Sequence, residues 1–190
     1  ASDGSPITYV GVFIDITESK EYARDLSAAR RMADVDALTG VKNKNAFAQW
    51  EQKINAAIGR ADQESFAAVV CDVNDLKKVN DTQGHKAGDE YIKRACMTIC
   101  NVFKRSPVFR IGGEEFCVIS RGHDYERLEE HMRMMDELNA KASQTGGVRI
   151  ACGAAVYEEG LTVDDVFERA DHRMYEYKMK MKAAEGNDGC

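Results

Sequence analysis

No apolar run in this chain approaches the roughly 20 residues that a membrane-spanning helix needs, so no segment reads as a span. Basic excess is missing too: 26 Lys and Arg stand against 32 Asp and Glu, for a formal charge of −6. Such a chain is a poor default partner for nucleic acid or an anionic membrane. A phosphate ligand would need a local lysine cluster or a metal. No two of the six cysteines have C-x-x-C spacing. Cys96 and Cys100 could share a helix face, but two ligands do not make a zinc site. The cysteines read as reduced thiols of a cytosolic protein, four of them in apolar runs. There is no G-x-x-x-x-G-K-S/T loop, no G-x-S-x-G, no H-E-x-x-H and no Rossmann fingerprint, which excludes a P-loop GTPase and leaves no hydrolase, zinc-protease or dinucleotide signature. Internal repeats and low-complexity tracts are absent. The opening Ala1-Ser2-Asp3-Gly4 lacks the cations of a signal peptide and reads as an excision from a longer protein.

What is present is an ordinary globular composition, 44% apolar and 31% charged over 190 residues, enough for one domain and an appendage. Residues 7–16, "ITYVGVFIDI", read as a strand left over from an upstream domain, and Thr17-Glu18-Ser19 as a helix start. Tyr22, Leu26, Ala29 and Ala33 form a short heptad-like seam, so 19–35 reads as a linker helix. A second domain begins near Asp36. The periodicity predicts helices over 44–58, 88–103, 125–142 and from Thr162 onward, and strands over 65–73, "PVFRI", "EFCVIS" and 148–156. The strand 65–73 is apolar almost throughout, which predicts cover on both faces. Leu128, Met132, Met135 and Leu138 are expected to face the core of their helix. "EGNDGC" reads as a polar tail. The order α-β-α-β-β-α-β-α, with a hairpin between βα units, points to a mixed sheet with helices packed on it.

Acids stand in two places where a core does not want them. Asp72 interrupts an apolar strand near its end and needs a partner, a cation or water. Ligand sites of α/β proteins gather at such strand ends. Glu114 and Glu115 follow Gly112-Gly113 at the tip of "FRIGGEEFCVI", where the glycines suit a tight turn of positive φ. Adjacent like charges facing a third acid are what a hard divalent cation neutralises, and oxygen ligands with few protein contacts suit Mg²⁺. The same glutamates also fit a solvated turn. Lys77 and Lys78 lie within reach of a phosphate at that strand end, or on a solvated helix face. Asn80 and Asp89 flank the Gly84-His85 turn. A carboxylate accepting from the ring N–H and amine, with an amide on the remaining edge, would read guanine. Turn chemistry explains the same residues, and His85 fits either.

With these residues assembled, "RIGGEEF" resembles the signature of the GGDEF family of diguanylate cyclases in its GGEEF form. Three further blocks match in order: "DALTGVKNKNAF" (36–47), "CDVNDLKKVNDTQGHKAGDE" (71–90) and "RADHRMYEYKMK" (169–180). The resemblance covers about 36–182. It implies an α/β (α+β) fold similar to nucleotide cyclases and polymerase palms: a central mixed five-stranded sheet with flanking helices. It divides the chain into the end of a PAS-like sensor (1–18), a linker or signalling helix (19–35), a catalytic domain (36–183) and a polar tail (184–190). The implied reaction condenses two GTP into cyclic di-GMP and two pyrophosphates in a homodimer of half-sites. The implied roles are Asp72, Glu114 and the Val73 carbonyl on Mg²⁺, with Mn²⁺ as the alternative, and Glu114 activating the ribose 3′-hydroxyl with Glu115 in support. Asn80 and Asp89 would hold guanine with His85 nearby, and Lys77, Lys178 and Lys182 would meet phosphates. The other reading is a catalytically silent GTP- or cyclic-dinucleotide-binding signalling module. The expected setting is the cytoplasmic part of a larger bacterial signalling protein driven by its upstream sensor, with no nucleic acid partner and no membrane contact by this chain, whatever anchor the parent carries.

Several positions depart from the family pattern. Asn74 replaces the second acid of D-x-D, Leu76 an aromatic, Lys44 an arginine, and Lys182 stands where arginine is frequent. The R-x-x-D of product-inhibited members falls on Phe103 and Ser106, so no inhibitory site of that type is expected.

Overall fold

The structure is a computed structural model and describes residues 33–58 and 65–187. The strand expected over 7–16, the linker helix up to residue 32 and the last three residues lie outside the described residues. By its contacts the chain divides into units 1–33 and 34–190.

Five strands form one sheet: β1 (Lys42–Asn43), β2 (Phe66–Val73), β3 (Val108–Arg110), β4 (Glu115–Arg121) and β5 (Ile150–Val156), in the order β1-β3-β4-β2-β5. β1 and β3 are parallel and the other pairings antiparallel, so the sheet is mixed. The helices are α1 (Lys44–Asn55), α2 (Leu76–Gln83), α3 (His85–Val102), α4 (Gly122–Glu126), α5 (Leu128–Thr145) and α6 (Val163–Asn187). β1 is two residues long, below the length at which alternation is visible in a sequence. α6 runs to Asn187, past the expected end of the domain at 183. Asp34 and Val35, expected at the end of the linker helix, form a turn and a bridge to Lys42 instead.

All eight residues of β2 are buried. Val69, Cys71 and Val73 point into a core covered by α3 and α5, with Ile92, Ala95, Ile99 and Met135. Phe66, Ala68 and Val70 point into a second core under α1 and α6, with Ala46, Val166, Ala170 and Met174. The two-sided cover expected of an apolar strand is what the fold provides. Cys71, Cys96, Cys117 and Cys152 are buried free thiols, and Cys100 is half-buried.

The inward face of α5 is the expected one at Met135, which is buried, and at Leu128 and Met132, which pack against the same core. Leu138 departs from it: it is 40% exposed, and Asn139 is buried in its place. Its Nδ2 donates to the Ile150 carbonyl at 2.8 Å and its Oδ1 accepts the Ile150 N–H at 2.8 Å. These main-chain groups at the start of β5 would otherwise be buried without partners.

α6 opens on a reciprocal cap, in which the Thr162 N–H donates to Asp165 Oδ2 at 2.7 Å and the Asp165 N–H donates to Thr162 Oγ1 at 3.2 Å. The helix then crosses β5 in direct backbone contact. A Cβ on Gly153 would lie 2.1 Å from the Met174 nitrogen and 2.3 Å from the Ala170 oxygen.

Asp36 ties the opening block to the signature hairpin. It accepts from the Thr39 N–H at 2.9 Å, from Thr39 Oγ1 at 2.6 Å and from Arg110 Nη1 at 3.0 Å. Burial alone would push its carboxyl up; the Thr39 hydrogen bonds and the Arg110 guanidinium outweigh it and hold the group below its usual 3.8.

Two stability outcomes follow. Gly153→Ala should lose about 2 kcal/mol or more, read as a lower urea midpoint, because helix backbone rather than a flexible side chain blocks the methyl. Asp36→Asn should lose about 1–3 kcal/mol at neutral pH. A lowered carboxyl contributes stability that is present above its unfolded value and is lost as pH falls through its folded value. The gap between parent and Asp36→Asn should therefore close below pH 3.8, measured by urea unfolding across the acid range.

Candidate active site

The face of β2 that carries Phe66, Ala68 and Val70 also carries Asp72, the residue before the end of the strand. Asp72 is 5% exposed. Its register partner on β4 is Glu115. α6 covers this face through Met174, and one turn further on it presents Lys178. Lys178 Nζ lies 2.6 Å from Asp72 Oδ1 and 3.9 Å from Glu114 Oε1. A single ammonium thus serves two carboxylates.

The hairpin tip is held by main-chain bonds. The Ile111 and Gly112 N–H groups both donate to the Glu115 carbonyl, at 3.0 and 3.3 Å, and the Val73 N–H donates to the Glu114 carbonyl at 2.9 Å. Neither Gly112 nor Gly113 has a positive φ, contrary to the expectation for a tight turn. At Gly112 a Cβ would stand 2.3 Å from Glu115 Oε2, the end of an exposed side chain that can swing aside. The Gly113 carbonyl accepts from Arg110 Nη2 at 2.7 Å. Through Arg110 the tip is therefore linked to Asp36. Burial pushes the Glu114 carboxyl above the usual range. The Asp72 charge adds to this, while Lys178 and Lys182 oppose it.

Two cavities open beside this cluster. One, of about 570 Å³, is lined by Val73, Lys77, Glu114, Lys178 and Lys182 together with Asn74, Asp75 and Arg149. The other, of about 590 Å³, has Asp72, Glu115, Lys178 and Lys182 in its wall. The acids and lysines expected at the site are thus brought together, with Lys178 and Lys182 shared by both spaces. Asn80, His85 and Asp89 line neither cavity. They lie on the α2–α3 hairpin, whose turn is Gly84 at φ 84°. Asn80 packs against Gly88, where a Cβ would fall 1.9 Å from Asn80 Oδ1, so the glycine keeps the amide next to the residue preceding Asp89. His85 and Asp89 are exposed in the first turn and a half of α3.

The set Asp72, Glu114 and the Val73 carbonyl offers hard oxygen donors. Lys178 marks the place where these acids share positive charge. Among the described residues no cage of three or more His, Cys, Asp or Glu side chains is preassembled. Two carboxylates and a carbonyl are a donor set that could hold an ion such as Mg²⁺, which takes one or two carboxylates and completes its shell with water and phosphate.

Three residues of this region were not expected from the sequence. Asn74 is buried, with Nδ2 directed at Met181 Sδ and Oδ1 without a partner among the described residues. Asp75 takes a left-handed conformation and pairs with Arg149. The sequence signal for Arg149 was a cation at the head of an otherwise apolar strand. At the positions of the family's inhibitory motif, Phe103 is 1% exposed with its ring edge-on to His131, and Ser106 Oγ donates to the buried Asp124 at 2.9 Å.

Comparisons with known proteins place the chain in a family. The family model described as "Diguanylate cyclase, GGDEF domain" matches residues 33–184. Diguanylate cyclase DgcS of Shewanella oneidensis is 34% identical over 147 residues, covering 75% of this chain and 49% of DgcS. The probable diguanylate cyclase DgcT of Escherichia coli is 30% identical over 166 residues, covering 80% of this chain and 35% of DgcT. The chain thus spans half or less of the length of these relatives. Cyclic di-GMP phosphodiesterase PdeR of Escherichia coli shares 34% identity over 116 residues, covering 60% of this chain and 17% of PdeR. Among solved structures, the coiled coil and GGDEF domain of DgcB from Caulobacter crescentus, in complex with c-di-GMP, has the same fold. It superposes with a TM-score of 0.74 at 24% identity, covering 86% of this chain and 90% of that one. A microbial GGDEF domain bound to cyclic di-GMP gives 0.63 at 27% identity, covering 78% of this chain and 94% of that one. By sequence blocks, sheet order and family match alike, the chain belongs to the GGDEF diguanylate cyclase family.

Proposed function

We propose that this chain is an active diguanylate cyclase domain that condenses two GTP into cyclic di-GMP with release of two pyrophosphates. The observation that carries the reading is the acid pair Asp72 and Glu114 around the Lys178 ammonium, with Glu114 and Lys178 in the wall of a cavity that also holds Lys77 and Lys182. Carboxylates beside clustered lysines suit a site for a metal-bound polyphosphate.

In this reading Asp72, Glu114 and the Val73 carbonyl hold Mg²⁺, or Mn²⁺ in its place. When bound, that ion supplies charge neutralisation and a lowered pKa for the ribose 3′-hydroxyl. Glu114 accepts the hydroxyl proton. Glu115, folded over Gly112, supports the same cluster. Lys77, Lys178 and Lys182 offset charge on the α-phosphate and on the departing pyrophosphate. Asn80 and Asp89 grip guanine at the α2–α3 hairpin, with His85 beside it.

Each chain holds one GTP and the product contains two new phosphodiesters, so two copies face each other about a two-fold axis. The domain over 36–183 would receive its signal through the 19–35 helix from a PAS-like sensor. It would work in the cytoplasm as part of a longer signalling protein. Among the described residues no helix is long and apolar enough to cross a membrane. A silent nucleotide-binding module is the second reading. It is favoured by the similarity to PdeR, whose name carries the opposite activity.

Mass-resolved product analysis at high protein concentration, with GTP and Mg²⁺, separates the two readings. The parent should form cyclic di-GMP, and Glu114→Gln should be slower by about a hundredfold or more. GTP binding without turnover, unrelieved by a leucine zipper fused ahead of Ser19, would favour the silent module. A parent that binds no GTP would sink both. Cyclic di-GMP should find no tight site at Phe103–Ser106. Isothermal titration showing tight binding that is lost on substitution there would refute that expectation.

A further inference from the structure

The turn from β2 into α2 holds the only non-glycine residue with a positive φ among the described residues: Asp75, at φ 65° and ψ 9°. The left-handed region is disfavoured for any residue with a Cβ, though Asp tolerates it better than most. Asp75 stands at the N-cap of α2, yet its side chain makes no capping bond there. The carboxylate turns instead to Arg149, whose Nη2 donates to Asp75 Oδ2.

Arg149 grips the same turn through its main chain. Its carbonyl accepts the Asn74 N–H at 2.9 Å. Its backbone also hydrogen-bonds the hydroxyl of Tyr91, a buried residue of the core under α3. The Arg149 side chain is 15% exposed and lies in the wall of the 570 Å³ cavity, beside Asn74, Asp75 and Lys77. The segment that leaves the metal-binding end of β2 and carries Lys77 is thus held on β5 by one residue, through both its side chain and its backbone.

We propose that Arg149 and Asp75 form a positioning latch for the triphosphate subsite. The guanidinium holds Asp75 in the left-handed conformation, and that conformation sets the path of Asn74–Lys78. Lys77 and the first-turn N–H groups of α2 are thereby aimed along the cavity. Arg149 acts through the turn and not as a phosphate ligand. The identity of the ligand rests on the cyclase reading above; the latch itself does not.

The test is a background-dependence experiment. A glycine at 75 adopts positive φ without help, so a residue whose task is to hold that conformation becomes dispensable there. Binding of a non-hydrolysable GTP analogue with Mg²⁺ is measured by calorimetry. Arg149→Ala should weaken binding about tenfold in the parent and by less than about twofold in the Asp75→Gly background. The same loss in both backgrounds would assign Arg149 a direct ligand contact and overturn the latch, as would no loss in either. Amide hydrogen exchange without ligand at Asn74 and Val79, whose N–H groups donate to the Arg149 and Asp75 carbonyls, gives a second readout. Arg149→Ala should speed exchange in the parent and not in the Asp75→Gly background; equal effects in both overturn the proposal. Should the parent bind no GTP analogue, the cyclase reading fails and the exchange result alone decides the latch. Should Arg149→Ala not fold, Arg149→Lys keeps the charge without the planar fork. It should then show a smaller loss with the same dependence on background.

Discussion

A carboxylate at the end of a strand buried on both faces has to be neutralised, and much of the site follows from that requirement. Asp72, 5% exposed, has little contact with water, and a carboxylate so placed needs a partner. The fold answers with α6, a 25-residue helix laid across the same face of the sheet and long enough to bring Lys178 over the strand end. The contact is close because Gly153 lets helix backbone rest on β5. Glu114 is then drawn to the same ammonium. Two carboxylates share the one lysine fixed there, which leaves room for further positive charge. Breaking a buried pair of this kind leaves an uncompensated charge, so the anchoring of α6 and the chemistry of the site depend on one another.

Much of this was legible in the residues. The interrupted strand 65–73 announced Asp72, because a charge inside an apolar run needs a reason. The helical period over 88–103 placed α3, whose Ile92, Ala95 and Ile99 are buried. Four ordered sequence blocks supplied the family. Other features were hidden for physical reasons. β1 is too short to show a period. Leu138 fits an apolar stripe, but the unmet main-chain groups of Ile150 drew Asn139 inward in its place, and no hydropathy pattern records a hydrogen-bonding need. The signature glycines were read as a turn of positive φ, and neither adopts it. Asp75 and Arg149 are 74 positions apart, and nothing local links them.

The conserved-looking blocks of the sequence are also mechanically joined. Asp36 and Thr39 of the opening block hold Arg110, and Arg110 holds the Gly113 carbonyl at the tip of the hairpin. The N–H of Val73 closes the circuit from that tip to β2. A residue at the very start of the domain therefore bears on the placement of Glu114 without touching it. The family signature is a set of supports as much as a set of ligands.

The pairing of Asn139 with Ile150 has a consequence for the free edge of the sheet. β5 lies at that edge, and edge strands invite another chain to add itself as a further strand. At the Ile150 end the side-chain amide already satisfies both outward main-chain groups, in the manner of a neighbouring strand. Sheet extension is blocked at that end, and the asparagine acts as a stopper on the backbone ladder.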